Sequence, residues 1–342
     1  MRRKTTAVRI GNVVLSSEEP VLVQSMLNTS TREVDACVEQ AIRIIEAGGR
    51  LVRITAPGVK EAEMLGEIHR RLRERGYTTP ISADIHFVAE AASVAARYVE
   101  KVRINPGNFA DKRATFKKLT YTDEEYAAEL EILRQKFTEF LEVCRQYGTA
   151  VRIGTNHGSL SDRIMSRYGD TPAGMVEATM EYLRVCQACD FKDVVISLKS
   201  SDCRTMVDAV RLLVEKMEAE GMCYPLHLGV TEAGEGEDGR IRSAVGIGTL
   251  LNEGIGKYQV SSGAWDHFIS GHRRYDPGVP DRGTRSRDSC GLRIGPDLFR
   301  TGVSERVDPI ERRVFETLYR GRIDGSNRIG RTGDEPDRFY RK

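Results

Sequence analysis

The feature that most constrains the fold is an alternation along residues 1–255. Short β-branched apolar runs alternate with longer amphipathic stretches rich in Ala, Glu, Arg and Leu. The short runs have the length of buried strands, and the longer stretches have helical spacing. The predicted strands are Val21–Ser25, Leu51–Thr55, Ile81–Ile85, Lys101–Ile104, Ala150–Ile153, Val194–Leu198 and Leu226–Val230. The predicted helices are Glu33–Ala47, Lys60–Arg75, Val88–Tyr98, Thr122–Gln146, Pro172–Cys189, Cys203–Glu220 and Ala244–Asn252.

This alternation is typical of parallel strands joined by crossover helices, and it predicts an α/β protein. The number of β–α units favours a TIM-like (β/α)8 barrel, which needs about 250 residues, over a doubly wound sheet. No GxGxxG motif opens a helix after the first strand, which argues against a dinucleotide-binding fold. An eighth strand is expected near residue 257, but GKYQVSSG is a weak candidate. We therefore predict a barrel that is incomplete at strand 8, with open, aggregation-prone edges.

The composition changes abruptly at Lys257. From there to the end, the chain is rich in Arg, Gly, Asp and Pro, and the strand and helix periodicities fade. Such a composition does not supply the apolar surface that a packed core needs. We therefore predict a barrel over residues 1–256 and a poorly ordered, aberrant tail over residues 257–342.

Charge and cysteine content narrow the classes of function and location. The chain has 52 basic and 50 acidic residues, a net charge of +2, which gives no reason to expect nucleic-acid binding. It has no long apolar run for a membrane segment and no apolar core of a secretory signal. Its 7 cysteines are dispersed, and the one CxxC, Cys186 to Cys189, has the spacing of a helix in the core. We expect a cytoplasmic protein, or a plastid protein if the source is a plant or alga.

Polar residues follow the predicted strands at equivalent positions. They comprise four basic groups, two amides and three acid–base groups: Arg53, Arg103, Arg152 and Lys199; Asn105 and Asn156; Asp84, His86 and Glu232. The motif VRI, followed within four residues by Thr or Asn, occurs three times, each time at a strand end. Because the carboxyl ends of barrel strands open on one face, we expect these side chains to converge.

Basic groups gathered at one mouth repel each other unless they bind a multiply anionic ligand. Arginine suits bidentate contacts with phosphate, and the amides can add neutral donors. Asp84, His86 and Glu232 are the groups available for proton transfer. The sequence therefore predicts a small diphosphate-type ligand at the mouth of the barrel. The alternatives are arginines paired with structural carboxylates and a structural His86, and we assign His157 and His227 to structure.

Longer motifs point to a family. They read VLVQSM, VRITAPG, ISADIHF, KVRINPGN, AVRIGTNHGSLSDRIMSRYGDTPAGMVE and YPLHLGVTEAGEGEDGRIRSAVGIGTLL, within residues 4–256. They resemble the 4-hydroxy-3-methylbut-2-enyl diphosphate synthases of the methylerythritol phosphate route to isoprenoids, in their larger three-domain form. The resemblance implies an oxidoreductase that opens the ring of 2-C-methyl-D-erythritol 2,4-cyclodiphosphate reductively and removes a hydroxyl group.

The resemblance also implies roles and partners. It places Glu232, His86 and Asp84 in catalysis, and it assigns substrate binding to Arg53, Arg103, Asn105, Arg152, Asn156 and Lys199. It implies a [4Fe–4S] cluster held by three Cys and one Glu of a separate C-terminal domain. Reduced flavodoxin or ferredoxin would supply the electrons, and we expect a homodimer.

The resemblance ends near residue 256. The family continues with a strand reading roughly GDTIRVSLTEEPE and then the cluster domain, whereas here Cys290 is the one cysteine that follows. We therefore expect no metal site in this chain and no cluster ligands. The segment GHRRYDPGVPDRGTRSRD, residues 271–288, can be encoded so that a one-base shift reads GIGDTIRVSLTEEPEAE. We hypothesise an insertion followed by out-of-frame translation.

The chain is accordingly expected to be truncated and inactive alone. Two alternatives stay open at this point. One is a non-catalytic barrel that binds a diphosphate, and the other is a different barrel enzyme, such as a pterin-binding transferase.

Overall fold

A computed structural model of the chain describes residues 3–20, 22–86, 88–111, 120–234, 236–256 and 259–260. The strands in this part are β1 (Val8–Ile10), β2 (Val13–Leu15), β3 (Leu22–Met26), β4 (Leu51–Thr55), β5 (Ile81–Asp84), β6 (Lys101–Ile104), β7 (Ala150–Asn156), β8 (Val194–Lys199) and β9 (Gln259–Val260). The helices are α1 (Val34–Glu46), α2 (Val59–Glu74), α3 (Ala89–Ala95), α4 (Pro106–Phe109), α5 (Asp123–Tyr147), α6 (Asp162–Tyr168), α7 (Pro172–Ala188), α8 (Cys203–Ala219) and α9 (Gly236–Asn252). None of these helices has both the length and the apolar character that crossing a bilayer requires.

The main sheet is parallel, and its strands lie in the order β8, β7, β6, β5, β4, β3, β9. Neighbours in the chain are thus neighbours in the sheet from β3 to β8, as in a barrel. Helices such as α1 and α2 bury their apolar faces in the core that includes Val52 and Ile54 of β4. The predicted TIM-like architecture is confirmed.

The predicted seventh strand, Leu226–Val230, differs in extent. Within the described residues Leu226 forms an isolated parallel bridge with Ile196 of β8, and Leu228 is a second isolated bridge position rather than part of a continuous strand. The Ile196 amide donates to the carbonyl oxygen of Pro225, and the His227 amide donates to that of Ile196. Gly229 follows two residues later, and glycine weakens regular pairing in a strand. The prediction of a regular strand here was therefore wrong.

The weak eighth-strand candidate does occupy the eighth position. Strand β9 pairs in parallel with β3, with Gln259 opposite Leu22 and Val260 opposite Val23. Just before it, Gly256 lies so close to Leu228 that an added Cβ would sit 2.6 Å from that side chain. The sheet therefore curls round until its two ends approach each other. Residues 257–258 and 261 onward lie outside the described part, so incompleteness at strand 8 stays a prediction. Residues 261–342, Cys290 among them, lie outside the described part, so the boundary at residue 256 stays a prediction.

The hairpin β1–β2 closes the amino-terminal end of the barrel. Its side chains form one apolar cluster with inward-facing residues of the main sheet: Val8, Ile10, Val13 and Leu15 with Leu22, Leu51, Ala150 and Val195. All eight are nearly or fully buried. Above this apolar layer, the inward positions of the same strands carry polar side chains, and this change in character locates the candidate site.

Candidate functional site

The register of the sheet brings three predicted site residues side by side. Asp84 of β5 lies opposite Arg103 of β6, and Arg103 lies opposite Arg152 of β7. Residues paired in neighbouring parallel strands point to the same side of a sheet. All three side chains are buried, on the face that points into the barrel.

Asp84 is the centre of this cluster and is fully buried. Its Oδ2 lies 2.7 Å from Nη2 of Arg53, and its Oδ1 lies 3.2 Å from Nη1 of Arg103. Nη2 of Arg152 lies 3.9 Å from the same Oδ1. Although burial alone raises the pKa of Asp84, the charges of Arg53 and Arg103 outweigh it and hold that pKa well below its usual range. The carboxylate therefore stays ionised and holds the arginines together.

Lys199 and Lys101 add two more basic side chains to the cluster. Lys199, at the end of β8, is buried and lies opposite Asn156 of β7. Lys101, two residues before Arg103, is fully buried, and its Nζ lies 3.3 Å from Oε1 of Gln24. Burial, together with the charges of Arg53 and Arg152, lowers the pKa of both lysines well below its usual value. The basic side chains thus outnumber the carboxylate that they share, and an anion would relieve their repulsion.

Several buried donors in this cluster lack an acceptor among the described residues. They are the Nε–H groups of Arg53, Arg103 and Arg152 and the hydroxyl of Ser82, which lies opposite Arg53 and Lys101 in the sheet. A buried polar group without a partner costs about 1–3 kcal/mol. Phosphate oxygens are acceptors and would satisfy such donors. The arrangement is therefore suited to a ligand with several anionic oxygens.

His86 lies at the edge of the cluster, with Nδ1 3.9 Å from Oδ1 of Asp84. Burial lowers its pKa to about 4; Asp84 opposes the shift, and Arg103 and Arg53 add to it. Its imidazole is therefore neutral near pH 7, where it can accept a proton or donate a hydrogen bond.

Glu232 is the predicted residue that the structure does not bring into the cluster. Its side chain is exposed and, within the described part of the chain, makes no salt bridge to the arginines. Its φ of 50° lies in the left-handed region, which a non-glycine residue adopts at a cost. Such strain is common at functional loops, and Glu232 remains a prediction.

The loops that follow β6 and β7 pack against each other. Nδ2 of Asn105 donates to Oγ of Ser159 over 2.8 Å. Gly107 lies so close that an added Cβ would sit 1.9 Å from the carbonyl oxygen of Ser159. These contacts hold Asn105 at the carboxyl rim of the barrel, and the pairing of β7 with β8 places Asn156 beside Lys199.

The sequence analysis did not identify several residues of this region: Gln24, Ser82, Lys101, Gly107, Asn108, Gly154 and Ser159. Lys101 was detectable, because alternation puts it on the same face as Arg103 two residues later. His227, which the sequence analysis assigned to a structural role, is fully buried. Its neighbours Leu226 and Leu228 pack in the core beneath the helices. In an extended segment the side chain between them points the opposite way, toward the barrel interior. His157 bonds through Nε2 to the carbonyl oxygen of Asp170, 3.2 Å away.

The described residues do not fit an iron–sulfur cluster. Among them, no three His, Cys, Asp or Glu side chains are grouped so that they could hold a metal ion. Cys186 is buried in α7 and Cys189 is half-buried just after it, with its Sγ 3.6 Å from the hydroxyl of Thr138. A cluster needs several thiolates turned toward one point.

Comparison with known proteins gives a family. The sequence profile of the GcpE TIM-barrel domain matches residues 5–261. The 4-hydroxy-3-methylbut-2-en-1-yl diphosphate synthase (flavodoxin) of Parabacteroides distasonis is 63% identical over 255 residues, and that of Bacteroides thetaiotaomicron is 61% identical over 255 residues. The chloroplastic, ferredoxin-type synthase of Arabidopsis thaliana is 52% identical over 256 residues. Each match takes in 75% of this chain but 42%, 42% and 34% of the respective relative, so the chain spans less than half their length.

Proposed function

The chain belongs to the GcpE TIM-barrel family, and on that premise we propose that it is the substrate-binding barrel of a 4-hydroxy-3-methylbut-2-en-1-yl diphosphate synthase. The family resemblance inferred from the motifs is thereby confirmed. The proposed ligand is 2-C-methyl-D-erythritol 2,4-cyclodiphosphate. The proposed reaction of the complete enzyme is reductive opening of its ring with loss of a hydroxyl group.

One observation carries this proposal: the buried arginines and lysines around Asp84. Arg53, Arg103, Arg152 and Lys199 would bind the two phosphoryl groups, and Arg guanidinium groups suit them geometrically. Asp84 would act as the positioning residue that fixes the arginines. Asn156 would add a donor at the rim.

Proton transfer would fall to groups at the mouth. His86 is neutral near pH 7 and lies beside Asp84, so it suits a proton acceptor or a hydrogen-bond donor at the ligand. Glu232, which the structure leaves exposed, is the second group proposed for proton transfer.

The reduction needs two electrons, and the names of the relatives specify flavodoxin or ferredoxin. The described residues do not fit a [4Fe–4S] cluster, so they would not themselves carry these electrons. We propose that this chain binds the cyclic diphosphate and that turnover depends on a cluster domain. We further propose that it works in a reducing compartment as a homodimer.

Calorimetry with the cyclic diphosphate tests the binding step. Arg152→Ala should weaken binding about 100-fold, because it removes a desolvated charge from the anion site. Arg134→Ala is the matched control, since that side chain is 67% exposed on the outer helix α5. A folded wild-type chain that binds no cyclic diphosphate would contradict the proposal.

An assay with reduced ferredoxin then tests turnover. Product formation by this chain alone would contradict its dependence on a cluster domain. Tight binding with no turnover, even when a relative's cluster domain is added, would instead favour the alternative of a non-catalytic diphosphate-binding barrel.

A further inference from the structure

Two asparagine amides share one serine hydroxyl at the carboxyl rim. Nδ2 of Asn105 donates to Oγ of Ser159 over 2.8 Å, and Nδ2 of Asn108 lies 3.5 Å from the same oxygen. A hydroxyl oxygen has two acceptor lone pairs, so the two amide donors fill both. The carbonyl oxygen of each amide is therefore turned away from Ser159.

These two carbonyl oxygens are buried without a partner. Asn105 is 3% exposed and Asn108 is 9% exposed, and among the described residues neither Oδ1 has a hydrogen-bond donor. Each unsatisfied oxygen destabilises the unliganded site, and a ligand that brings a donor would recover that loss.

The pair lies directly beyond the anion site. Asn105 has φ −110° and ψ 114°, so the extended backbone of β6 continues through it. It therefore faces the same side as Arg103 and sits about 6–7 Å further along the strand. The short helix α4 then places Asn108 three residues later, next to Asn105 on one side of the turn.

The chemistry of the pair differs from that of the arginines. An amide oxygen accepts a hydrogen bond and cannot bind a phosphate oxygen, which is also an acceptor. A metal ion would suit a carbonyl oxygen, but the neighbouring Arg103 and Arg152 charges oppose it. A hydroxyl group satisfies the pair at no electrostatic cost.

We propose that Asn105 and Asn108, held by Ser159, form a hydroxyl-binding subsite that recognises the polyol part of the ligand. This rests on the proposed function. The 2,4-cyclodiphosphate uses the C2 and C4 oxygens of the erythritol, which leaves the C1 and C3 hydroxyls free to donate. The anion site then holds the phosphates, and the amide pair distinguishes a polyol diphosphate from a diphosphate without hydroxyls.

The subsite is rigid before ligand binds. Gly107, between the two asparagines, is in contact with the carbonyl oxygen of Ser159 where no Cβ would fit. Pro106 fixes the first position of α4. A preformed subsite loses little entropy on binding, so its effect should be measurable in affinity.

Two ligands separate the subsite from the anion site: the cyclic diphosphate, and inorganic pyrophosphate, which has no carbon-bound hydroxyl. By calorimetry, Asn108→Ala should weaken binding of the cyclic diphosphate about 10-fold and leave pyrophosphate within about 2-fold. Ser159→Ala, which releases both amides, should change the two affinities in the same selective way. Asn12→Ala is the matched control. Asn12 is exposed in the amino-terminal hairpin, far from the subsite, and its amide donates to the hydroxyl of Thr78. Neither affinity should change in this variant.

The outcomes are distinct. An equal loss for both ligands in Asn108→Ala and Ser159→Ala would overturn the subsite and indicate a distorted anion site. Unchanged affinity for the cyclic diphosphate in both variants would also overturn it. Retained pyrophosphate binding shows that each variant is folded. A wild-type chain that binds neither ligand would overturn the proposed function, and the subsite with it.

Discussion

Nη2 of Arg103 donates to the carbonyl oxygen of Gly154 over 2.7 Å, from β6 to β7. A Cβ added at Gly154 would lie 2.5 Å from Nε of Arg103 and 3.2 Å from Oγ of Ser197. Because Gly154 has no side chain, the guanidinium group of Arg103 can occupy this space. From there, its Nη1 reaches Asp84 at 3.2 Å.

Gly154→Ala should displace Arg103. Because the guanidinium cannot keep both contacts, we expect pyrophosphate binding to weaken about 10-fold and the free energy of unfolding to fall by about 1–3 kcal/mol. Calorimetry and urea unfolding measure the two effects. Gly248→Ala is the control, because nothing lies within 4 Å of its added Cβ. Pyrophosphate affinity should not change, and the free energy of unfolding should rise by about 0.5–1 kcal/mol because alanine favours helix α9. If Gly154→Ala bound pyrophosphate as tightly as the wild type, Gly154 would not be the position that makes room for Arg103.

Asp84→Asn should expose the repulsion among the arginines. Without the carboxylate, the buried Arg103 and Arg152 and the half-buried Arg53 lie near one another and lose the charge that offset theirs, so we expect a loss of about 3–5 kcal/mol in unfolding free energy. Pyrophosphate should raise the melting temperature of any folded variant, because it supplies negative charge.

The control for that change is Asp35→Asn, which alters an exposed ion pair with Arg71 on the outer helices. Its stability should remain near that of the wild type, because exposed pairs contribute little. If Asp84→Asn were as stable as Asp35→Asn, Asp84 would not be the group that holds the cluster together.

His86 should make stability depend on pH. Its pKa falls from 6.5 to about 4 on folding, so between these values the unfolded chain binds a proton that the folded chain does not. Stability should therefore fall as the pH falls from 6.5 to 4, by about 2 kcal/mol for this group after allowing for its partial exposure. Chemical unfolding at a series of pH values should show a shallower slope in this window for His86→Gln. Parallel profiles for variant and wild type would show that His86 is not buried as a neutral ring.

The cysteines should differ in reactivity. Burial, with the charge of Glu33 added, raises the pKa of Cys37 to about 11, and burial also raises the pKa of Cys144 and Cys186. Because the thiolate is the reactive form, these three should resist iodoacetamide at pH 8 until the chain unfolds. Cys223 is exposed and should react in the native state. Peptide mass mapping reads the result, and rapid native labelling of Cys144 would contradict the packing of α5.

The strands and the inward positions could be predicted because both follow local rules. Leu51–Thr55 and Lys101–Ile104 have the predicted bounds, and Arg53, Arg103 and Arg152 lie in the cluster because parallel strands end on one face. Helix α9 was harder: the predicted start was Ala244, but the helix begins at Gly236. Its first turns are glycine-rich and charged, so they carry no apolar period to detect.

The rest of the site depends on contacts between segments that are distant in the chain. Asn108 and Ser159 become partners only because the loops after β6 and β7 interlock, and nothing in either loop's own sequence encodes the other. Glu232 follows a segment that pairs with β8 at one bridge, so strand alternation did not determine where its side chain would lie. The sequence therefore predicts side-chain positions that strand register sets, but it does not predict contacts that depend on how two distant loops pack together.

The hairpin β1–β2 packs against the amino-terminal side of the described sheet, so the polar cluster faces the opposite, carboxyl side. Under the proposed function, a ligand bound among the arginines would enter and leave from that side. A domain that covered that side during the reaction would then have to move away before the product could dissociate.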